Sequence, residues 1–236
     1  MLLLTRPRAA SQALAERLAL PDLHIVISPV IRIEGRELSG PLCAGALIFT
    51  SAHGAAEAGR LDLPRDLPVF TVGDATARTA RAAGWMAEAL GRTADELVAA
   101  LIRLSPPTPL LHLRGAHARG DIAARLTRAG LPTDERVIYD QVAQPLTAEA
   151  MDALNGDNPV ILPVFSPRSA RLLSGMGKPL APLHVVALSS AVAEALHDTD
   201  MTTLHVCDAP TREEMDAALN AVALGLCRVE GSTGEH

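Results

Sequence analysis

Small hydroxyl residues occupy a recurring position in this sequence, between a short apolar segment and an alanine-rich one. The segment "LIFTSAHGAAEAG" begins at Leu47, and "PVFSPRSARLLSG" begins at Pro163. Each predicts a buried strand, a turn and a helix. The first N–H groups of a helix have no partner within it and lie at the positive end of its dipole, where anions bind. The two segments therefore predict binding of carboxylates or other anions.

Other strand-to-helix turns and the arginines near them extend this candidate site. Arginine binds a carboxylate through two parallel hydrogen bonds. Helix capping alone accounts for any single hydroxyl, but repetition at several turns favours a ligand with several carboxylates. The candidate substrate-binding residues are Thr5, Arg6, Ser51, Ala52, Gly73, Thr76, Arg114, Gly115, Arg119, Ser166, Ser169, Ser189 and Thr211.

Tyr139 is the only tyrosine of the chain and is the candidate catalytic residue. It lies in "VIYDQ", within a β-branched run that predicts a strand. A phenol donates a proton or a hydrogen bond while uncharged at neutral pH. The alternative is a structural tyrosine that joins the core to solvent.

Several common site types have no support in the sequence. Cys43, Cys207 and Cys227 form no CxxC pair, the histidines form no HExxH motif, and no GxGxxG or GxxxxGK[ST] motif is present. We therefore expect neither a metal nor a cofactor. A site of hydroxyls, arginines and backbone amides is suited to holding and orienting a substrate that is itself reactive.

Charge and hydropathy limit the partners and the location. The net charge of -6 argues against a general nucleic-acid partner. No segment reaches the roughly 18 apolar residues of a membrane span, and the opening "MLLLTRPR" is too short for a secretory signal. These observations predict a cytoplasmic protein with no membrane partner.

Apolar segments alternate with amphipathic ones along the chain, which predicts the α/β class with parallel sheets covered by helices. The order "IFTSAHGA", "FTVGDATARTA", "GRTADELVAAL" recurs as "VFSPRSA", "VALSSAVAEA", "APTREEMDAAL". The last members of each set carry a Thr-x-x-Glu capping box, at Thr93 to Glu96 and at Thr211 to Glu214. This repeat predicts two lobes of one topology.

The two long β-branched runs, "HIVISPVIRIE" and "RVIYDQVAQ", bracket the middle block of the chain. We expect them to pair as an antiparallel hinge ladder, formed by residues 31–36 and 136–145. Lobe 1 would then be discontinuous, with residues 1–30 and 146–236, and lobe 2 would contain residues 37–135. Tyr139 would lie on the hinge strand and face the cleft between the lobes.

In this order of motifs the chain resembles the uroporphyrinogen-III synthase family. The resemblance is carried by "LLLTRP", "IFTSAHGA", "VGDATA", "LRGAHARGDIAARL", "VIYDQVAQP", "VFSPRSA", "VALSSAVAEAL" and "APTREEMDAAL". It implies two similar lobes, each a flavodoxin-like parallel sheet flanked by helices, joined by a two-stranded antiparallel ladder. The chain departs from the family pattern at His53 and Val192, where binding would be left to backbone N–H groups.

The resemblance also implies a reaction. The family's substrate is hydroxymethylbilane, a linear tetrapyrrole with eight carboxylates, which the enzyme closes with loss of water and inversion of ring D through a spiro intermediate, without cofactor or metal. By this resemblance, Tyr139 would help the substrate's hydroxyl group to leave as water. Thr76 and Thr211 would bind carboxylates or the rearranging ring. Backbone amides after Ser51 and Ser166 would hold further carboxylates.

Two other expectations complete the sequence interpretation. We expect a monomer, and the sequence leaves open a transient contact with the preceding enzyme of the pathway. A reading from a different class also remains, a non-enzymatic two-lobed module that binds a small anion at helix N-termini.

Overall fold

Helices and strands alternate along the chain in a computed structural model, which describes residues 1–18, 23–38, 40, 42–117 and 120–232. The strands are β1 (Leu2–Leu4), β2 (Ile25–Ile27), β3 (Ile31–Gly35), β4 (Ala46–Phe49), β5 (Val69–Thr71), β6 (Ala87–Ala89), β7 (Leu110–Gly115), β8 (Thr133–Ala143), β9 (Val160–Val164), β10 (Leu183–Ala187) and β11 (Thr203–Val206). The helices are α1 (Arg8–Leu18), α2 (Ala52–Ala58), α3 (Asp74–Ala82), α4 (Ala94–Leu104), α5 (Ile122–Arg128), α6 (Ala148–Leu154), α7 (Pro167–Ser174), α8 (Ser190–Glu194) and α9 (Arg212–Ser232).

Internal contacts divide the chain into two compact units. Unit 1 contains Met1–Arg32 and Ala143–His236, and unit 2 contains Ile33–Val142. Each unit has its own β-sheet and its own apolar core.

The sheet of unit 1 has the strand order β11-β10-β9-β1-β2, and its neighbouring strands run parallel. Leu2 and Leu4 of β1 pack with Leu14 of α1 and with Met215 and Leu219 of α9. Because helices cover both faces of a parallel sheet, its strands are apolar along their whole length.

The sheet of unit 2 has the order β3-β8-β7-β4-β5-β6, and the strands from β8 to β6 run parallel. Side chains of a strand alternate between the two faces. Leu47 and Phe49 accordingly enter a core with Trp85, whereas Ile48 enters a second core with Leu97. Both faces are buried, so the predicted α/β class with parallel sheets flanked by helices is confirmed.

The segment "HIVISPVIRI", which the sequence presents as one long apolar run, forms two strands. β2 ends at Ile27 and β3 begins at Ile31. Pro29 lies between them and has no N–H group to donate to a sheet, so a continuous strand is interrupted there.

Strand β3 is the edge neighbour of β8. The Arg36 N–H donates to the Ile138 carbonyl at 2.8 Å, and the Gln144 N–H donates to the Val30 carbonyl at 3.0 Å. From Val30 to Arg36 the residue numbers increase, whereas those of their partners decrease from Gln144 to Ile138. The two bonded segments therefore run antiparallel.

The two sheets have the same strand order when unit 1 is read from β9. The strands β9, β10, β11, β1 and β2 then occupy the places that β4, β5, β6, β7 and β8 occupy in unit 2. The N-terminal strands β1 and β2 thus complete a sheet whose other three strands come from the C-terminal part of the chain.

Candidate active site

A cleft of about 320 Å³ lies at the carboxyl ends of the strands of unit 2. Ligands of open parallel sheets bind at this edge, because the strand-to-helix turns present side chains and unpaired N–H groups there. The lining residues come from the ends of β4, β5, β7 and β8 and from the start of α4: Thr50, Ser51, Val72, Arg92, Thr93, Ala94, Gly115, His117, Tyr139 and Gln141.

The position of Tyr139 depends on an irregularity between β7 and β8. Arg114 lies opposite Val137, but the next residue of β7, Gly115, lies opposite Tyr139, so that β8 carries one extra residue, Ile138. Such bulges re-aim side chains beside functional sites. Tyr139 is only 4% exposed, yet its ring lines the cleft.

Gly115 gives the tyrosine ring its space. A Cβ atom at this position would lie 2.5 Å from Cζ and 2.8 Å from the hydroxyl oxygen of Tyr139. The backbone of β7 and the ring are therefore in direct contact, and any larger residue would displace the ring. Substrate binding by Gly115 stays a prediction, and its contact with the tyrosine is what the structure shows.

Ser51 holds the phenol of Tyr139. The two hydroxyl oxygens lie 2.8 Å apart, and either hydroxyl can donate. Ser51 is also the N-cap of α2, where its Oγ accepts the Gly54 N–H at 3.0 Å. Because this cap fixes the serine side chain, the phenol is bonded to a rigid partner rather than to a mobile one.

The phenol remains protonated at neutral pH. Burial raises the pKa of Tyr139, the Ser51 hydrogen bond opposes this change, and the nearby Glu57 carboxylate adds to it. The His53 ring lies edge-on to the tyrosine, with ring centroids 6.4 Å apart. The site therefore presents a neutral hydroxyl that can donate a hydrogen bond or a proton to a ligand.

Thr50 precedes this serine and contacts a buried histidine. Thr50 Oγ1 lies 3.3 Å from His112 Nε2 of β7. His112 is 1% exposed, and burial lowers its pKa to about 4. Its imidazole is therefore neutral at physiological pH.

The start of α4 lines the cleft with Arg92, Thr93 and Ala94. Thr93 Oγ1 accepts the Glu96 N–H at 3.2 Å, as the predicted capping box requires. The Glu96 carboxylate accepts the Arg92 N–H at 2.6 Å, one residue earlier than the reciprocal bond of a capping box. Asp95 pairs with Arg125, so both acidic residues of this turn have partners. The exposed Arg92 guanidinium stands beside the helix N-terminus.

Other candidates of unit 2 lie at the same sheet edge but not all of them face the cleft. Gly73, with φ of 74°, is the N-cap of α3, and Thr76 is buried in the first turn of that helix. Ala52 begins α2. The Arg114 guanidinium pairs with Glu135 at 2.6 Å, so its charge is directed to the neighbouring strand. Arg119 lies outside the described residues.

The candidates of unit 1 gather at the carboxyl edge of its own sheet. Thr5 is buried directly after β1, and the Arg6 guanidinium lies 4.2 Å from the centre of the Phe165 ring. Burial lowers the pKa of Arg6, and the charges of Arg17 and Arg212 add to this effect. Arg17 already pairs with Asp216, and a carboxylate bound beside Arg6 would further offset the positive charge there.

Hydroxyl residues cap the helices that follow β9 and β11. Ser166 Oγ accepts the Ser169 N–H at 3.1 Å and donates to Ser169 Oγ at 3.0 Å. Thr211 Oγ1 accepts the Glu214 N–H at 3.2 Å, which is the predicted first half of its capping box. Ser189 is the N-cap of α8 without a side-chain cap bond. The first sheet thus places hydroxyls and an arginine at one edge.

Comparison with protein families identifies the chain. The family model described as uroporphyrinogen-III synthase HemD matches residues 12–217. The chain belongs to the uroporphyrinogen-III synthase family. A comparison with curated proteins finds no match.

This synthase shares its fold with a solved structure. Uroporphyrinogen-III synthetase from Helicobacter pylori 26695 has a TM-score of 0.65 and 17% identity, covering 83% of this chain and 92% of that chain. A mutant uroporphyrinogen III synthase from the extremely thermophilic bacterium Thermus thermophilus has a TM-score of 0.47 and 15% identity, covering 96% of this chain and 98% of that chain.

Family membership confirms the predicted enzyme class. A uroporphyrinogen-III synthase is a lyase of tetrapyrrole and heme biosynthesis, and its substrate is hydroxymethylbilane. The non-enzymatic binding module gains no support from the family match. Among the described residues no helix is long and apolar enough to cross a bilayer, and no three His, Cys, Asp or Glu side chains come together as metal ligands.

The cleft of the synthase contains groups that the sequence did not single out. Arg92 and Thr93 follow the short β6, and the capping box at Thr93 marked a helix start without indicating a ligand. His117 lies 3.6 Å from Asp140, whose pKa is lowered by hydrogen bonds from Arg36 and from the Gln141 N–H. His117 and Asp140 are far apart in the sequence, so no local pattern signalled their contact.

Proposed function

We propose that Tyr139, bonded to Ser51, is the acid with which this uroporphyrinogen-III synthase acts on hydroxymethylbilane. The reaction closes the linear tetrapyrrole to uroporphyrinogen III, with loss of water and inversion of ring D. The observation that carries the proposal is the 2.8 Å bond between two hydroxyls in the cleft at the carboxyl ends of the parallel strands.

The proposed step moves one proton. Ser51 donates to the phenol oxygen, which leaves the phenol proton of Tyr139 for the substrate's hydroxyl group. The carbon–oxygen bond breaks, its electron pair leaves with the oxygen, and the oxygen departs as water. The tyrosinate is held by Ser51 until ring closure returns a proton from a pyrrole carbon. The raised pKa of the phenol keeps the proton available at neutral pH.

The eight carboxylates of the substrate need cationic and N–H partners. We propose that Arg92, Thr93 and the adjacent N–H groups of α4 bind carboxylates in unit 2, with Gly73 and Thr76 at the start of α3. These groups bind and orient the chain, because holding a flexible substrate in one conformation replaces the non-inverted closure with the inverted one.

Unit 1 contributes the remaining binding groups of the proposal. Arg6, close to Arg17 and Arg212, supplies cationic charge, and α7 and α9 supply N–H groups after Ser166 and Thr211. Thr5, Ser169 and Ser189 belong to the same edge. Ala52 and the backbone around Ser51 add donors in unit 2, and Arg114 and Arg119 stay predictions of the sequence.

The domain organisation is part of the proposal. We assign residues 1–30 and 146–236 to lobe 1, residues 37–135 to lobe 2, and residues 31–36 and 136–145 to a hinge ladder that joins two similar lobes. The opposite directions of the bonds at Arg36 and Gln144 support the ladder. The cytoplasmic location, the monomeric state and a contact with the preceding enzyme stay predictions.

The test is the isomer of the product. Purified protein is supplied with enzymatically generated hydroxymethylbilane, and the isomers are separated after oxidation to porphyrins. We expect isomer III in the presence of protein and the spontaneous, non-inverted isomer in its absence. Only the spontaneous isomer at excess protein would refute the function.

A further inference from the structure

The contact between Thr50 and His112 involves a buried ring nitrogen to which the proposed function gives no role. His112 Nδ1 is buried and has no hydrogen-bond partner among the described residues. The other ring nitrogen, Nε2, faces Thr50 Oγ1 at 3.3 Å, and Thr50 lines the cleft. One nitrogen of a core histidine is therefore unpaired while the other contacts a residue of the binding site.

A neutral imidazole carries its proton on only one of these nitrogens. If Nδ1 carried it, an N–H group would be buried without an acceptor, and Thr50 would donate its hydroxyl proton to Nε2. If Nε2 carries it, only a lone pair is left unpaired, and Nε2–H donates to Thr50. Orphaned buried N–H groups are rarer in proteins than acceptors with an unfilled lone pair, so the second arrangement is favoured.

The tautomer decides what Thr50 offers to a ligand. When Oγ1 accepts from the histidine, the hydroxyl proton is free to point into the cleft and to donate to an anion. In the opposite arrangement the proton points at the histidine, and Thr50 presents only lone pairs, which repel a carboxylate.

We propose that His112 is a positioning residue that holds Thr50 as a hydrogen-bond donor to a carboxylate of the substrate. This inference rests on the proposed function and adds one donor to its carboxylate-binding groups. His112 itself touches no substrate atom, because it is covered by the strands and helices of unit 2. Its effect passes through the Thr50 hydroxyl.

The tautomer can be measured without any enzymatic activity. Two-bond ¹H–¹⁵N correlation spectra of the full chain labelled with ¹⁵N-histidine distinguish protonated from unprotonated ring nitrogens. The signals of His112 are those that disappear in His112→Leu. We expect a protonated Nε2 and an unprotonated Nδ1; a protonated Nδ1 would overturn the proposal.

Kinetics test the consequence for binding. Thr50→Val keeps the shape of the side chain but removes the donor, and we expect KM for hydroxymethylbilane to rise about tenfold with little change in kcat. Thr50→Ser, which keeps the hydroxyl, should raise KM less. His112→Leu should raise KM to the same extent as Thr50→Val and add nothing in the double variant, whereas His112→Gln, which retains an N–H donor, should recover part of the loss. An unchanged KM in either His112→Leu or Thr50→Val would contradict the proposal.

A matched pair in unit 1 provides the control. His184 Nδ1 lies 2.9 Å from Thr203 Oγ1, on β10 and β11. His184→Leu removes the same kind of contact away from the cleft and should leave KM unchanged. If the wild-type protein forms only the spontaneous isomer, the proposed function fails, while the spectra still decide the tautomer.

Discussion

The first hydroxyl-bearing turn has the same capping hydrogen bond in both sheets, but the serine side chain has a different second partner in each. Ser51 follows β4 and Ser166 follows the equivalent strand β9, and each side chain caps a helix by accepting the N–H three residues later. Ser51 also bonds to the phenol of Tyr139, whereas Ser166 bonds to Ser169. The same backbone turn therefore supports a proton donor in unit 2 and only hydroxyls in unit 1.

The residue before each serine extends this difference. Thr50 contacts the buried His112, whereas Phe165 carries the Arg6 guanidinium on its ring. Unit 2 thus assembles uncharged donors around a buried phenol, and unit 1 gathers cationic charge. In the proposed function, one topology used twice separates the acid of the reaction from part of the anion binding.

The largest effect is expected from Gly115→Ala. The added Cβ would overlap the Tyr139 ring, so the ring must move away from Ser51 and from the cleft. We expect kcat to fall by about 100-fold or more, the range that a lost general acid gives. Gly156→Ala is the matched control, because its Cβ would meet neighbours only at ordinary contact distances of 3.5 Å and beyond. Equal activity of the two variants would show that ring placement is unimportant.

Two serine variants compare the turns directly. Ser51→Ala and Ser166→Ala each remove a helix cap and should each lower the free energy of unfolding by about 1 kcal/mol. Only Ser51→Ala also removes the partner of Tyr139, and we expect its kcat to fall about tenfold while that of Ser166→Ala stays within about twofold. Parallel loss of kcat in both variants, measured at saturating substrate, would remove the distinction between the units.

The fold was more predictable than the site, for a physical reason. Alternating apolar and amphipathic segments determine which residues are buried, so strands, helices and capping serines follow from local pattern. The extra residue Ile138 has no signature within β8, because that strand contains no glycine or proline. His112 stands in the apolar run "LLHL" and reads as a core residue. Arg92 and Tyr139 line one cleft only because the parallel strands β6 and β8 end at the same edge of the sheet.

Two threonines provide a smaller comparison. Thr76 lies in the first turn of α3 in unit 2, and Thr211 caps α9 in unit 1. In the proposed function each is one of several donors to shared anions, so Thr76→Ala and Thr211→Ala should raise KM by about two- to fivefold with kcat unchanged. Steady-state kinetics check this, and a large loss of kcat in either variant would place that threonine in the chemical step.

The smallest effect concerns stability and pH. The hydrogen bond from Arg114 lowers the pKa of Glu135 in unit 2, whereas Arg6 of unit 1 lies on a ring that does not titrate. A lowered carboxyl pKa contributes stability above the unfolded pKa, and this contribution is lost as pH falls through the folded pKa. Glu135→Gln should therefore lower the free energy of unfolding by about 0.5 kcal/mol at neutral pH, and the difference should vanish in acid.

Urea titrations at a series of pH values from neutral to acid check this prediction. The difference in free energy of unfolding between wild type and Arg6→Gln should change less over this pH range than the difference for Glu135→Gln. The reason is that no carboxylate pairs with Arg6 in the described residues. A Glu135→Gln difference that stayed constant with pH would contradict the assignment of the ion pair.

The most direct test of the account is the single-turnover rate of hydroxymethylbilane consumption by Tyr139→Phe. The variant removes one oxygen atom and leaves the ring on Gly115, so thermal unfolding should change little. If the phenol protonates the departing hydroxyl, the rate falls by about 100-fold relative to wild type. A rate within about threefold of wild type, a difference of less than about 1 kcal/mol in the barrier, would contradict the role of Tyr139 as the acid.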